Sequence, residues 1–299
     1  MPTPHAPTPA TLDDAPAPKG DLSVTALYTS ETWRWAGFEG AELLATPDSR
    51  NVFRVTNFVL GIARLFVWRI GSLRTSLAQR HAMLDHLAKS AGADCVFELA
   101  SGLSRRGVAL SADPSLRYTE VDLPPMVARK RALLERTPEG RAVLARPGFQ
   151  LVGADVTDAD LAALAPAGGH LLVIAEGLLM YLDAAAQRAL WQRIAALADG
   201  RRALTLLFDF LPSPEEPRPG PIGRALAWLM KRFTGGQGFV RDTRDRQDIT
   251  EELRGLGYAE VSATTPADVA EAWALPYPAK PGRQVIWRCR TGRAELPAA

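Results

Sequence analysis

His170-Leu171-Leu172-Val173-Ile174-Ala175-Glu176-Gly177-Leu178 reads as a strand covered on both faces. Its apolar residues run on without alternation, the pattern of an inner strand of a parallel sheet. Four other runs resemble it: Asp94–Ala100 between Gly92 and Gly102, Leu116–Leu123 stopped by Pro124-Pro125, Phe149–Val156, and Arg202–Leu211. Helical patterns separate them over Pro125–Arg136, Asp158–Leu164 and Ala184–Asp199. In the last, Leu190, Ile194 and Leu197 form the stripe, and Gly200 supplies a C-terminal stop. This alternation predicts an α/β fold with a doubly wound, mostly parallel sheet. A helix over Asp248–Leu256 and two more strands, Ala259–Thr265 and Arg283–Arg290, bring the expected sheet to seven strands.

Composition narrows the function. The 299 residues carry 35 Lys plus Arg against 33 Asp plus Glu, a net charge of +2 that gives no electrostatic argument for a nucleic-acid partner. Two cysteines exclude a disulfide scaffold, and four histidines without paired spacing argue against a metal site. Residues 1–20 hold six prolines and neither an apolar core nor an arginine. They read as a disordered tail, not as a secretory signal or transit peptide, so a cytoplasmic location is expected. Val52–Ile70 is the most apolar stretch, but Arg54, Arg64 and Arg69 interrupt it. Phe58, Ile62, Leu65 and Phe66 mark the apolar face of an amphipathic helix, expected to pack on the body or cover a pocket rather than lie on a membrane surface, and no membrane span is expected.

The strand ends carry the chemistry. Phe97-Glu98-Leu99-Ala100-Ser101-Gly102 leads into Leu103-Ser104-Arg105-Arg106-Gly107, a small-residue turn that lets backbone N–H groups approach a ligand. Tyr118-Thr119-Glu120-Val121-Asp122-Leu123 ends in an acid twenty residues after Gly102, suited to a ribose diol. Asp155 follows the third strand, where it either faces an adenine amine or caps the next helix. Glu176 follows the fourth. A nicotinamide dinucleotide would need more glycines than Ala100 and Ser104 leave, and Glu98 would repel its phosphates. The phosphate-free, cationic S-adenosylmethionine suits an acidic rim better.

Val96-Phe97-Glu98-Leu99-Ala100-Ser101-Gly102-Leu103, Glu120-Val121-Asp122-Leu123-Pro124 with Lys130, and Glu176-Gly177-Leu178-Leu179-Met180-Tyr181-Leu182 together resemble one family. It is the leucine carboxyl methyltransferase family (protein phosphatase methyltransferases), with its bacterial polyketide O-methyltransferase branch. The resemblance covers roughly Leu22 to Arg290. It implies a class I methyltransferase sheet, a helical N-terminal cap and a lid near the fifth strand. S-adenosylmethionine is the implied cofactor, and the implied acceptors are carboxylates or sometimes hydroxyls. The chain then divides into a tail (1–20) and one methyltransferase domain (21–299). Within the domain fall a cap (21–92), a cofactor core (93–211), a lid (212–246) and a C-terminal helix with strands (247–299).

Residue roles follow from the same resemblance. Glu98, Ala100 and Gly102 fall at the methionine-side turn, Asp122 and Leu123 at the ribose, and Asp155 and Val156 at the adenine. Glu176 and Gly177 fall near the cofactor's amino group. Arg80, in Arg80-His81-Ala82-Met83-Leu84-Asp85, matches the arginine that binds the cofactor carboxylate, a contact suited to a guanidinium. Two departures stand out: Ala100 replaces a glycine, and Ser104-Arg105-Arg106 replaces Asp-Thr-Arg. They keep a non-catalytic, nucleoside-binding relative in view. No histidine sits at a strand end as a general base, which favours a carboxylate acceptor over a hydroxyl. Tyr181, Trp228 and Phe233 are the expected acceptor contacts. The last two lie in a lid read from Pro212–Pro221 and the apolar positions Ile222, Leu226, Leu229, Met230 and Phe233, with Arg224, Lys231 and Arg232 beside them. The expected acceptor is a small, largely apolar acid.

Overall fold

Seven strands form one sheet in the order β3-β2-β1-β4-β5-β7-β6. In the computed structural model, which describes residues 24–66, 72–215 and 242–291, they are β1 Cys95–Leu99, β2 Arg117–Asp122, β3 Phe149–Gly153, β4 His170–Ala175, β5 Ala203–Asp209, β6 Tyr258–Thr264 and β7 Ile286–Thr291. The first five are parallel, and β7 runs antiparallel between β5 and β6. Each expected strand is present, with no end displaced by more than three residues. The expected tail, and the expected lid beyond Glu215, lie outside the described residues.

The continuous apolar run of β4 has its cause in the layers. Every residue from His170 to Ala175 is buried. Leu171, Val173 and Ala175 join Phe97, Leu99, Leu206 and Phe208 in one core layer. Leu172 and Ile174 join Val96, Tyr118 and Leu207 on the opposite face. Alternate residues of one strand thus feed two cores, which is why alternation in polarity is absent. Trp191, Phe208 and Trp287 anchor the first layer, with the Phe208 and Trp287 rings stacked at 5.8 Å. Each such side chain contributes about 1.5–3 kcal/mol of burial.

The three helices expected between the parallel strands are α5 Pro124–Glu135, α7 Leu161–Leu164, which starts three residues later than expected, and α8 Ala184–Ala196; α4 Arg106–Leu110 follows the β1 turn, and α6 Pro138–Leu144 is an addition. Local chemistry sets their starts. Asp183 accepts the Ala186 N–H before α8, Asp160 caps α7, and proline at the first position opens α5 and α6. Ahead of the sheet stand α1 Val24–Trp35, α2 Pro47–Phe66 and α3 Leu73–Ser90. Helix α3 is buried almost all round, including Gln79, Arg80, His81 and Asp85, and packs against β5 and β7. Its polar residues are therefore delivered into the interior above the strand ends.

One expectation about α2 needs correction. Its Phe53 is buried against Tyr28, with ring centroids 5.3 Å apart. Phe58 and Ile62, assigned above to a packed face, are instead 70% and 45% exposed, with Val55 and Val59 beside them. The helix has two apolar faces, and the inner one is formed around Phe53. Among the described residues, no helix is long and apolar enough to cross a membrane.

Candidate active site

In an open α/β sheet the ligand crevice lies at the carboxyl ends of the strands, where the strand order reverses. Here that point falls between β1 and β4. The turn after β1, residues 100–102, and Glu176-Gly177 after β4 flank it.

The β1 turn is held by Asp122. Gly102 N–H donates to Asp122 Oδ2 at 2.6 Å, and Leu123 N–H to Oδ1 at 2.7 Å. Each oxygen keeps a further lone pair. Burial raises the Asp122 carboxyl above its usual value, while the two backbone donors and Lys130 pull it down. Gly102 has φ 53°, and among the described residues a side chain there would meet only Ala26 Cβ at 4.0 Å. Leu123, half exposed, supplies an apolar wall beside the carboxylate.

Ala100 sits at φ 51°, the left-handed conformation that a glycine adopts freely. The turn takes a conformation that suits glycine, and the Cβ of Ala100 is accommodated in it. An L-residue in this region costs about 1–2 kcal/mol, and glycine's extra freedom when unfolded returns part of that. Ala100→Gly is expected to stabilise the fold by about 0.5–1 kcal/mol, read as a higher urea midpoint at unchanged slope.

Under the turn lies a network of buried charges. Arg106, fully buried, donates to Asp85 Oδ1 at 2.8 Å, to Glu176 Oε2 at 2.7 Å and to Glu98. Tyr118 OH donates to the other Glu98 oxygen at 2.7 Å. Arg105 pairs with Asp85, and its Nε donates to His81 Nε2 at 3.0 Å. Lys130 bonds Glu120 and the Ser104 carbonyl. Glu98 thus reaches the turn as the partner of Arg106 and Tyr118, with both oxygens engaged.

Glu176 is the hub. Its Oε1 accepts from Arg80 Nε at 3.0 Å, and its Oε2 accepts from His81 Nδ1 at 2.9 Å as well as from Arg106. Burial works against its charge, yet His81, Arg80 and Arg106 hold it well below the usual carboxylate range. Burial pushes His81 down to about 3, outweighing the neighbouring Glu176, with Arg106 and Arg105 adding to the effect. At neutral pH the imidazole is uncharged, sandwiched against Trp33 with centroids 4.4 Å apart. The second partner of Arg80 is Asp209, at the end of β5, 3.0 Å from Nη1.

The other expected residues separate into groups. Asp155 is exposed, and its Oδ1 accepts from the Thr157 N–H at 2.9 Å and hydroxyl at 2.7 Å; it closes a local turn and does not cap the next helix, which Asp160 does. Val156 is buried in the first core layer. Tyr181 is half-buried on the short turn Leu179–Tyr181 beside Glu176-Gly177. Trp228 and Phe233 lie outside the described residues. Asp209, Asp85, His81, Arg105 and Arg106 are additions that sequence reasoning did not assign to the site.

The leucine carboxyl methyltransferase family profile matches residues 39–195. A Mycobacteroides abscessus protein, described as a candidate S-adenosyl-L-methionine-dependent methyltransferase, is 32% identical over 221 residues, 67% of either chain. A protein of the same description from Mycolicibacterium gilvum is 30% identical over 201 residues, 64% of this chain and 62% of that one. The solved structure of an O-methyltransferase family protein from Burkholderia thailandensis has the same fold, with TM-score 0.50 and 18% identity over 91% of this chain and 73% of that one. The chain therefore belongs to the leucine carboxyl methyltransferase family.

Proposed function

We propose that this methyltransferase carries a methyl group from S-adenosylmethionine to the carboxylate of a small, largely apolar acid, forming a methyl ester. The charge balance of the site carries the cofactor half of this reading. Asp85, Glu98, Asp122, Glu176 and Asp209 lie with Arg80, Arg105 and Arg106 beneath one crevice, and His81 is neutral. Carboxylates outnumber guanidinium groups there. A buried excess of negative charge is costly unless a cation joins it. S-adenosylmethionine brings two cationic groups, sulfonium and ammonium, against one carboxylate.

When bound, the cofactor supplies an electrophilic methyl group on sulfur. The chain's part is to hold it. Asp122 accepts from the ribose diol through its remaining lone pairs, beside the Gly102 turn. Leu123, Asp155 and Val156 stand on the adenine side. Glu176 faces the amino group, and Arg80 the carboxylate. Methyl transfer is an in-line displacement, so alignment of acceptor and sulfonium is the main catalytic contribution. A carboxylate acceptor is ionised above about pH 5 and needs no general base. His81 supports that half of the reading, because it is buried, neutral and already hydrogen-bonded on both ring nitrogens. The family's polyketide branch favours an acceptor from secondary metabolism.

Turnover with labelled cofactor and a panel of small acids and phenols tests the reading. On the best acceptor, the single-turnover rate is expected to stay flat from pH 6 to 8, and the product to be cleaved by mild base. Burial pushes Glu120 up to about 7 against the adjacent Lys130. Glu120→Gln is the control, since a slope that it removes belongs to the turn and not to the acceptor. A base-stable product whose rate rises with pH would show a hydroxyl acceptor. Tight binding of S-adenosylhomocysteine without turnover on any acceptor would show a non-catalytic relative.

A further inference from the structure

Asp209 lies at the end of β5, buried to 3% exposure, and neither the family motifs nor the strand-end reading assigned it. Its carboxylate bridges two groups of the candidate site. Oδ1 accepts the Gly177 N–H at 2.5 Å, and Oδ2 accepts Arg80 Nη1 at 3.0 Å. Glu176 takes Arg80 Nε at 3.0 Å from the other side. The guanidinium is therefore clamped at two of its three nitrogens. Nη2 has no hydrogen-bond partner among the described residues.

Gly177 lies against the same guanidinium. With φ 71° it is in the left-handed region, and a Cβ there would stand 3.5 Å from Arg80 Nη2. The same aspartate thus fixes both the Gly177 backbone beside the guanidinium and the guanidinium itself. Glu176 alone could not set that aim, because a single carboxylate on Nε leaves the rest of the guanidinium free to swing.

We propose that Asp209 is a positioning residue that turns Arg80 Nη2 toward the cofactor's carboxylate, and so sets the affinity for its methionine end. This rests on the reading of the site as an S-adenosylmethionine site. Its signature is selective. The methionine end should lose affinity when Asp209 changes, and the nucleoside end should not.

The test is calorimetric titration of S-adenosylhomocysteine and of adenosine into the parent and three variants: Asp209→Asn, Asp209→Glu and Arg80→Met. The glutamate variant keeps the buried negative charge but moves it, so it guards against a loss of folding in the asparagine variant; thermal unfolding monitors both. Asp209→Asn and Asp209→Glu are expected to lose about tenfold or more for S-adenosylhomocysteine, the scale of one charge-assisted hydrogen bond. Adenosine affinity should stay at the parent value in every variant. Parent-like affinity for S-adenosylhomocysteine in a folded Asp209→Glu, with Arg80→Met impaired, would overturn the role of Asp209 and leave the site reading intact. Equal loss for both ligands would mark Asp209 as merely structural and overturn the proposal. A parent that binds neither ligand would refute the cofactor reading itself.

Discussion

Asp122→Ala is expected to weaken binding of S-adenosylhomocysteine by about ten- to a hundredfold, since a hydrogen bond to a charged group contributes about 1.5–3 kcal/mol. Two effects add in the same direction. The carboxylate that would accept from the ribose diol is lost. The Gly102 N–H, now 2.6 Å from Asp122 Oδ2, loses the partner that holds the turn. Asp122→Asn separates them. Its amide oxygen can still hold one backbone donor, so the turn is retained in part while the charge is gone. Calorimetric titration at neutral pH reads both variants. The ordering expected is parent, then asparagine, then alanine, with adenosine affinity falling in step because the nucleoside carries the diol. Unchanged affinity in Asp122→Ala would overturn the placement of the ribose.

Arg106→Met is expected to have the largest effect on stability, a loss of about 3–5 kcal/mol, as found when one partner of a buried ion pair is removed. Its guanidinium is fully buried and serves Asp85, Glu98 and Glu176 at once. Methionine fills most of the volume, so the loss reads the charge and not a cavity. The pH dependence has a definite sign. Arg106 helps to hold Glu176 well below the usual carboxylate range. A carboxyl depressed on folding contributes stability that is present above its unfolded pKa and is lost as pH falls through its folded one. Without Arg106 part of that contribution is gone, so urea unfolding should show the larger deficit at neutral pH and a smaller one below the ordinary carboxylate pKa of about 4. A deficit below about 1 kcal/mol, the range of an exposed ion pair, would mean that the network is solvated in solution.

The two variants probe different layers of one design. Asp122 stands at the crevice with lone pairs to spare, whereas Arg106 lies beneath it with its donors committed to protein carboxylates. The departure from Asp-Thr-Arg in the motif concerns this lower layer. Arg105 adds a second buried guanidinium, which pairs with Asp85 and the neutral His81 and lies 5.1 Å over the Phe38 ring. Ser104 turns its hydroxyl to the Arg106 N–H at 3.2 Å. The substituted residues are thus built into the support of the turn.

The sheet was legible because its signal is local. A strand such as His170–Ala175 is apolar throughout because it faces two cores, and glycine or proline marks its ends. Asp122 and Glu176 were legible for the same reason, as acids where an apolar run stops. Asp209 carries that signal too, but Phe210 and Leu211 extend the apolar run past it, so it was read as strand interior. Asp155 shows the opposite limit. Its sequence context fits a ligand contact and a helix cap alike, and only the tertiary structure shows that Asp155 closes a turn onto Thr157 while Asp160 caps the helix.

What the sequence determined by itself is the order of strands and helices and the acids at their ends, because periodicity and turn chemistry act over a few residues. Tertiary structure decided the use of those acids. Arg80, His81 and Asp85 are adjacent on α3, but their partners lie at Glu98, Arg105, Arg106, Glu176 and Asp209, on elements that meet only when the sheet closes. Whether Glu176 is free or triply bonded, whether His81 is charged, and which nitrogen of Arg80 stays open depend on those long-range contacts. The outer face of α2 is a similar case: the spacing of Phe58 and Ile62 showed a stripe, but its exposure was set by the packing of Phe53 on Tyr28. Desolvation and Coulomb interactions depend on distance in space, and a pattern along the chain does not contain that distance.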